Sequence, residues 1–350
     1  LHNNRHSFPT RRSSDLVKKK ILQAGKEKYV TDEPATEAAR RKADKIKAKW
    51  DAWIWEDGAR ADAITAIYNE RFNRTVKRKF DGSHLTLPGT TPAITLLGHQ
   101  KNSVWRALQD RVMLADQVVG AGKTFIMAAI AIEMKRLGIA KKPIFVVPNH
   151  LTMQWRSEFS RLYPTANVLA ATPADFDKDY REKFFAKIVT GNWDAIIVGH
   201  SSMKRIGIPL ETEQRILKEQ IEAIAGAIED MKVNRGDKRI QKDMERIKET
   251  LQAKLDKTMA TIGKRDKGVA FDDLGIDAIF VDEMHEFKNL WFTTQMQRVS
   301  GLGNPTGSGK AFDLFVKIRW LQETFGEKAP LITATGTPVS NSLVEMFTMQ

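Results

Sequence analysis

Two short segments of this 350-residue chain hold residue types that could do chemistry together. The first is Gly120-Ala121-Gly122-Lys123-Thr124, which follows an apolar run and opens a stretch of helical character. Glycines let successive backbone N–H groups face an anion, and a helix N-terminus adds positive potential. In such a loop Lys123 neutralises the β and γ phosphates of a nucleotide and the Thr124 hydroxyl can ligate Mg²⁺. Gln117 stands where a strict phosphate loop has its first glycine. The second segment is Asp282-Glu283-Met284-His285, delivered by the apolar run Ala278-Ile-Phe-Val281. Asp282 is suited to hold Mg²⁺, directly or through water, and Glu283 to orient and deprotonate an attacking water. A phosphate loop upstream of paired carboxylates points to nucleoside triphosphate hydrolysis, with Lys123, Asp282 and Glu283 as the catalytic candidates.

Both segments need strands to hold them. Short, nearly all-apolar runs at 111–116, 143–148, 167–170, 194–199, 277–282 and 330–333 alternate with helical stretches at 124–137, 151–162, 177–188 and 312–325. Runs apolar on both faces predict a parallel sheet covered by helices, an α/β, doubly wound domain. The interval 211–262 breaks this rhythm. Its apolar residues recur mostly every three or four positions on either side of Asn234-Arg-Gly-Asp237, which predicts an antiparallel helical hairpin inserted between the fourth and fifth strands. Pairing of the two helices with each other is the preferred use of that stripe. Gly303-Asn-Pro-Thr-Gly-Ser-Gly-Lys310 imitates a second phosphate loop, but Ala311 replaces the hydroxyl, so it is read as a flexible loop. Met284 and Met296 are read as packing residues.

Residues 17–80 read as a basic helical extension, with helices from Thr36 to about Trp50 and from Ala59 to Phe72. Trp50, Trp53 and Trp55 could stack on nucleic-acid bases, although a small core under the helix is the preferred reading. Turn formers from Asp81 to Pro92 mark the start of the main domain, 81–350. The chain begins with Leu1, and residues 1–16 resemble a translated sequencing adapter and are set aside as a scar. It stops in mid-pattern, so a piece of a longer protein is expected.

Composition narrows the classes. Lys and Arg total 56 against 43 Asp and Glu, a net charge of +13, and the first 80 residues carry 20 basic and 11 acidic side chains. Polyanionic partners are favoured. Zero cysteines exclude disulfides, zinc ribbons, iron–sulfur clusters and thiol nucleophiles. No apolar run is long enough to span a membrane, so no membrane partner is expected and the expected compartment is cytoplasmic.

Asp282-Glu-Met-His285, with Glu286-Phe-Lys-Asn-Leu290 behind it, resembles the DEAH box of superfamily 2 helicases, particularly the Swi/Snf-type branch. Leu97-Gly-His-Gln100-Lys resembles the adenine-recognition segment, Val147-Pro-Asn-His-Leu-Thr-Met-Gln-Trp155 resembles motif Ia, and Thr333-Ala-Thr-Gly-Thr-Pro338-Val-Ser-Asn341 resembles motif III. The match covers roughly residues 94–350, although Ala115-Asp-Gln-Val-Val119 is one residue longer than usual before Gly120.

The resemblance implies the first RecA-like lobe of an ATP-dependent DNA helicase or translocase that uses ATP and Mg²⁺. Gln100 would read adenine, and His285 and Thr335 would couple nucleotide state to a second RecA-like lobe carrying the arginine finger. Asn149, His150, Thr152, His200, Ser201 and Lys204 would touch the phosphates of one nucleic-acid strand, DNA by expectation with RNA as the alternative track. The flanking text Tyr68–Asn73 and Phe80–Leu85 also resembles large phage and plasmid proteins in which a methyltransferase domain precedes the helicase. Two other readings stay open: a P-loop NTPase that is no motor, and a scaffold binding partners through its hairpin.

Overall fold

The computed structural model describes residues 17–23, 26–72, 78–233, 238–260, 269–288 and 308–337, which fall into two compact units meeting in sequence at Lys79 and Phe80. Residues 1–16, Met296, the greater part of the second glycine-rich segment and the end of the motif III-like stretch lie outside the described residues.

In the first unit, strands β1 (Lys18–Gln23) and β2 (Lys26–Thr31) pair antiparallel, followed by helices α1 (Glu33–Trp55) and α2 (Gly58–Phe72). The strands correct the all-helical expectation for this stretch. Tyr29, Val30 and Thr31 have the aromatic and β-branched side chains that fit a pleated surface, a local signal outweighed in the reading by the surrounding lysines. Asp32 starts α1 by accepting a hydrogen bond from the Ala35 N–H at 3.1 Å, with Pro34 in the first turn. The three tryptophans of α1 form no core: Trp50, Trp53 and Trp55 are 54%, 44% and 73% exposed.

The second unit begins with α3 (Gly98–Asp110), a helix the periodicity did not announce, and continues through β3 (Val112–Ala115), α4 (Lys123–Arg136), β4 (Pro143–Val147), α5 (Thr152–Leu162) and β5 (Val168–Ala170). After α6 (Lys178–Thr190), β6 (Ala195–Gly199) and the short α7 (His200–Met203) come the paired helices α8 (Leu210–Val233) and α9 (Lys238–Ala260). β7 (Ala278–Val281), α10 (Gly309–Phe325) and β8 (Leu331–Ala334) close the described chain.

All six expected strands form one parallel sheet in the order β3-β8-β7-β4-β6-β5. The alternation of each strand divides the core. Phe145, Val147, Ile197, Phe280 and Ile332 face α3, α4 and α5 on one side. Ile144, Val146, Ile196, Ile279 and Val281 face α6, α7 and α10 on the other. Both faces being covered is what made these strands continuous apolar runs. Phe145 and Phe280 stack at 4.5 Å between neighbouring strands, and Phe159 of α5 meets Phe145 edge-on at 5.7 Å.

The helical hairpin sits between β6 and β7, where the spacing put it. Ile216, Ile224, Ile228, Met244, Leu251 and Leu255 bury one shared stripe, and Phe312 and Val316 of α10 extend it. The foot of the hairpin is therefore docked on the sheet domain through α10, with Arg215 bonded to Glu323 and Arg319 to Glu219 around the rim.

Candidate active site

Strand order decides what can meet. β3, β8 and β7 are neighbours, and their registers bring Ala115 beside Ala334 and Val281 beside Thr333. The residues that follow each strand, the glycine loop, Thr335-Gly336 and Asp282-Glu283, consequently emerge side by side at one edge of the sheet.

The glycine loop ends on Gly122, whose left-handed backbone (φ 80°) turns the chain into α4 at Lys123; Gly120 is also left-handed (φ 87°). The Lys123 ammonium bends back onto its own loop, donating to the carbonyls of Gln117 at 3.1 Å and Val118 at 3.4 Å. Gln100, on the first turn of α3, is buried. Its amide oxygen accepts from the Leu97 N–H at 2.8 Å and its amide nitrogen donates to the Ala121 carbonyl at 3.0 Å. This side chain holds the loop, a role the reading of Gln100 as an adenine contact did not include. A Cβ on Gly122 would meet the Gln100 amide nitrogen at 2.2 Å and displace it from the Ala121 carbonyl, and the left-handed φ itself favours glycine there. Gln117 is not a loose substitute for the missing glycine: its amide nitrogen donates to the Ser103 hydroxyl of α3 at 2.6 Å.

Asp282 is buried at the end of β7, with one carboxylate oxygen accepting from the Trp155 indole N–H at 3.1 Å and the other from the Glu283 N–H at 3.0 Å. Burial, and then the neighbouring Glu283 charge, push its carboxyl above the usual range, against the opposing pull of the Trp155 and Glu283 donors and the Lys123 ammonium. Glu283 adopts left-handed backbone (φ 52°, ψ 53°), a conformation that costs a non-glycine residue about 1–2 kcal/mol. The turn aims its carboxylate at His285, whose Nδ1 lies 3.1 Å from Glu283 Oε2 and 3.1 Å from the Thr335 hydroxyl. Thr335, fully buried, donates its own N–H to the Ala115 carbonyl at 3.0 Å, and its hydroxyl accepts from the Thr337 N–H at 3.1 Å. Acid, histidine, threonine and the end of β3 are thus joined across three strand ends. Gly336 completes the contact: a Cβ there would lie 2.8 Å from Val119 and 3.4 Å from the Lys123 ammonium.

Beyond the carboxylates, a cleft of about 480 Å³ opens between the ends of β4, β6 and β7, lined among others by Asn149, His150, Ser201, Glu283, His285 and Lys310. Asn149, His150, Ser201 and Lys204 are exposed. Asn149 Oδ1 accepts from both the N–H and the hydroxyl of Ser201 at 3.0 Å, tying the two loops together. Two of the six residues expected to touch nucleic acid have their side chains inside the protein. The Thr152 hydroxyl donates to the Asn149 carbonyl at 3.3 Å. The His200 ring packs edge-on to Phe287 and bonds the Asp282 carbonyl at 2.9 Å, and burial pushes it down to about 4, so it is neutral at pH 7. These two brace the site from within.

Two contributors went unread. Trp155 closes the motif Ia-like stretch, and only the tertiary fold places its N–H on an acid 127 residues away. Lys310 was assigned to a flexible loop; instead Ser308 caps α10, with its hydroxyl accepting from the Lys310 N–H at 3.3 Å, and Lys310 reaches Glu286 at 3.0 Å. That ion pair is the first cause holding the Glu286 carboxyl below its ordinary range. Ser308 followed by an apolar period was the available helix-start signal. Met284 is buried, as a packing residue should be.

A family described as "Probable helicase domain" matches residues 105–350. The chain belongs to that family. A second family, a domain of unknown function (DUF8437), matches residues 10–74. Among curated proteins, "Defense against restriction protein B" of Escherichia phage P1 is 22% identical over 342 residues, which is 87% of this chain and 15% of that protein. The chain therefore spans well under a fifth of the length of this relative. Among solved structures, a Sulfolobus solfataricus SWI2/SNF2 ATPase core in complex with dsDNA aligns with a TM-score of 0.38 at 15% identity, covering 76% of this chain and 36% of that one. No helix among the described residues is long and apolar enough to cross a membrane.

Proposed function

We propose that residues 81–350 are the first, RecA-like ATP-binding lobe of a superfamily 2 DNA motor of the Swi/Snf-type branch, a helicase or translocase. The observation that carries the reading is the row of strand ends in which Lys123, Thr335 and the Asp282–Glu283 pair face one edge of the sheet, linked through His285. The chain fits a nucleotide with Mg²⁺. Gly120 and Gly122 supply the left-handed turns, the first N–H groups of α4 have no intrahelical acceptors, and Lys123 rests on the neutral carbonyls of Gln117 and Val118 among the described residues. Thr124 and Asp282 are the metal-holding candidates. Bound Mg²⁺ would spread the phosphate charge and polarise the phosphoryl group.

The protein's own part follows from its geometry. Lys123 leaves the Gln117 and Val118 carbonyls for phosphate oxygens. Glu283, turned out of the strand by its left-handed backbone and steadied by His285, takes the proton of the attacking water. Thr335 registers the loop against the acid turn and carries nucleotide state to a second lobe, which supplies the arginine for turnover. Asn149, His150, Ser201 and Lys204 line the phosphate path of a DNA strand.

Titration with a fluorescent ATP analogue and Mg²⁺ tests the reading. Saturable binding that collapses in Lys123→Ala is expected, with little hydrolysis until the second lobe is joined. Equal affinity in the two proteins overturns it.

A further inference from the structure

We propose that the exposed face of α1 binds single-stranded nucleic acid by stacking unpaired bases on Trp50 and Trp53 between two basic borders. With about 3.6 residues per turn, Ile46, Trp50 and Trp53 fall on one stripe of the helix. All three are in solvent, 69%, 54% and 44% exposed, and the two indoles lie 5.1 Å apart with a 34° tilt. The Arg60 guanidinium rests 3.9 Å over the Trp53 ring while bonding the Trp53 carbonyl, which fixes one ring in place before any ligand arrives. Loss of side-chain freedom is part of what stacking costs, so a ring already fixed stacks more readily.

The charges are sorted around that stripe. Lys42 and Lys49 border it on one side, and Arg40 and Lys47 on the other. The four acids of α1, Glu33, Glu37, Asp44 and Asp51, fall within roughly a 40° arc on the opposite side of the helix. Asp57, ion-paired to Arg60 at 3.5 Å, is the acid beside Trp53, and its charge is met by the guanidinium stacked there. An aromatic stripe with basic edges is complementary to flat π-faces strung on phosphates. A duplex hides its base faces, so single strands are selected by the rings and not by the lysines. Trp55 projects from the acidic side and is no part of the platform. This stripe lies within the residues matched by the domain of unknown function, and the inference is independent of the motor reading.

The test uses the whole 350-residue chain, titrated with fluorescein-labelled oligothymidylate, oligouridylate and a duplex at two salt concentrations, with tryptophan emission followed in parallel. Expected are tighter binding to the single strands than to the duplex, and quenching of indole emission. Trp50→Ala with Trp53→Ala weakens single-strand binding roughly tenfold or more. Trp50→Phe with Trp53→Phe restores most of it, since a phenyl ring also stacks. Lys42→Gln with Lys49→Gln lowers the logarithmic salt slope by about 1.4, two phosphates at about 0.7 each. ATP-analogue affinity stays unchanged in all of these variants, which separates a failure here from a failure of the nucleotide site. Unchanged oligonucleotide affinity in the alanine variant overturns the proposal, as does duplex binding as tight as single-strand binding. It is equally overturned if the tryptophans control self-association in sedimentation and leave oligonucleotide binding untouched.

Discussion

After β7 Asp282 is buried and matched, with neutral donors on both oxygens, His200 on its carbonyl, and Met284 and Phe287 buried in the turn that follows, while Glu283 and His285 are only half-buried. After β3, one strand away from β7 across β8, the glycine loop is closed largely on itself, with Val118 and Val119 at 75% and 80% exposure. Asp282 is thus set by contacts that cannot shift without opening the core. The loop half is held by Lys123 on two carbonyls and by Gln100 on a third, hydrogen bonds of about 1–3 kcal/mol each. A nucleotide would have to rearrange only the exposed half, against a carboxylate pair already in position.

The strongest way to break this contrast is to remove one charge from each half. Lys123→Ala should lower ATP-analogue affinity on the order of 100-fold while moving stability by less than about 1 kcal/mol, since the loop is exposed. Glu283→Gln should leave affinity within a few-fold and cut hydrolysis by the joined two-lobe protein about 10²-fold or more. Isothermal titration and a phosphate-release assay read both. If Lys123→Ala melts the protein, the loop is structural and the contrast is wrong.

The acid half should answer differently, through stability. Trp155→Phe keeps most of the ring but strands one oxygen of a buried carboxylate, at a cost of about 1–3 kcal/mol in chemical denaturation. Gly336→Ala is the matching change beside the loop. Its Cβ would press Val119 at 2.8 Å, and an exposed loop can yield, so stability should change by less than about 1 kcal/mol. Nucleotide affinity should still fall several-fold because the Lys123 ammonium is displaced with the loop. Equal destabilisation by the two substitutions would erase the difference between the halves.

The same physics explains what could be read in the sequence. Strands buried on both faces are runs of apolar residues that stop abruptly at polar ones, so Asp282 and Glu283 stood out at the end of such a run, whereas Lys123 was read from its glycine loop and Thr335 from the motif III-like stretch. The hairpin was legible because a helical stripe keeps its period whatever it packs against. Trp155, His200 and Gln100 were not legible as braces, because their partners lie 127, 82 and 21 residues away and depend on strand order. Trp50 and Trp53 were misread for the opposite reason: apolar rings among charges usually find a core, and among the described residues none covers them.

Burial by itself is separable from the chemistry of the site at Lys254, which lies at the hairpin foot with its ammonium 3.3 Å over the Phe312 ring. Burial is the first cause lowering this lysine to about 8, with Glu213 and Asp313 opposing. A lysine depressed in the folded state releases its proton there while the unfolded chain keeps it, so stability rises with pH from about 8 to the ordinary lysine value of about 10.5. Below about 8 both states are charged and the full cost of burial is present. The effect should amount to about 1 kcal/mol once screening by solvent is allowed for. Lys254→Met retains the stem over Phe312 and removes the charge, so the difference in denaturation midpoint between the two proteins should shrink as pH rises through that window. A constant difference would mean that a buried charge costs little in this fold, and the raised carboxyl of Asp282 would then have to be credited to Glu283 instead of to the dryness of the acid half.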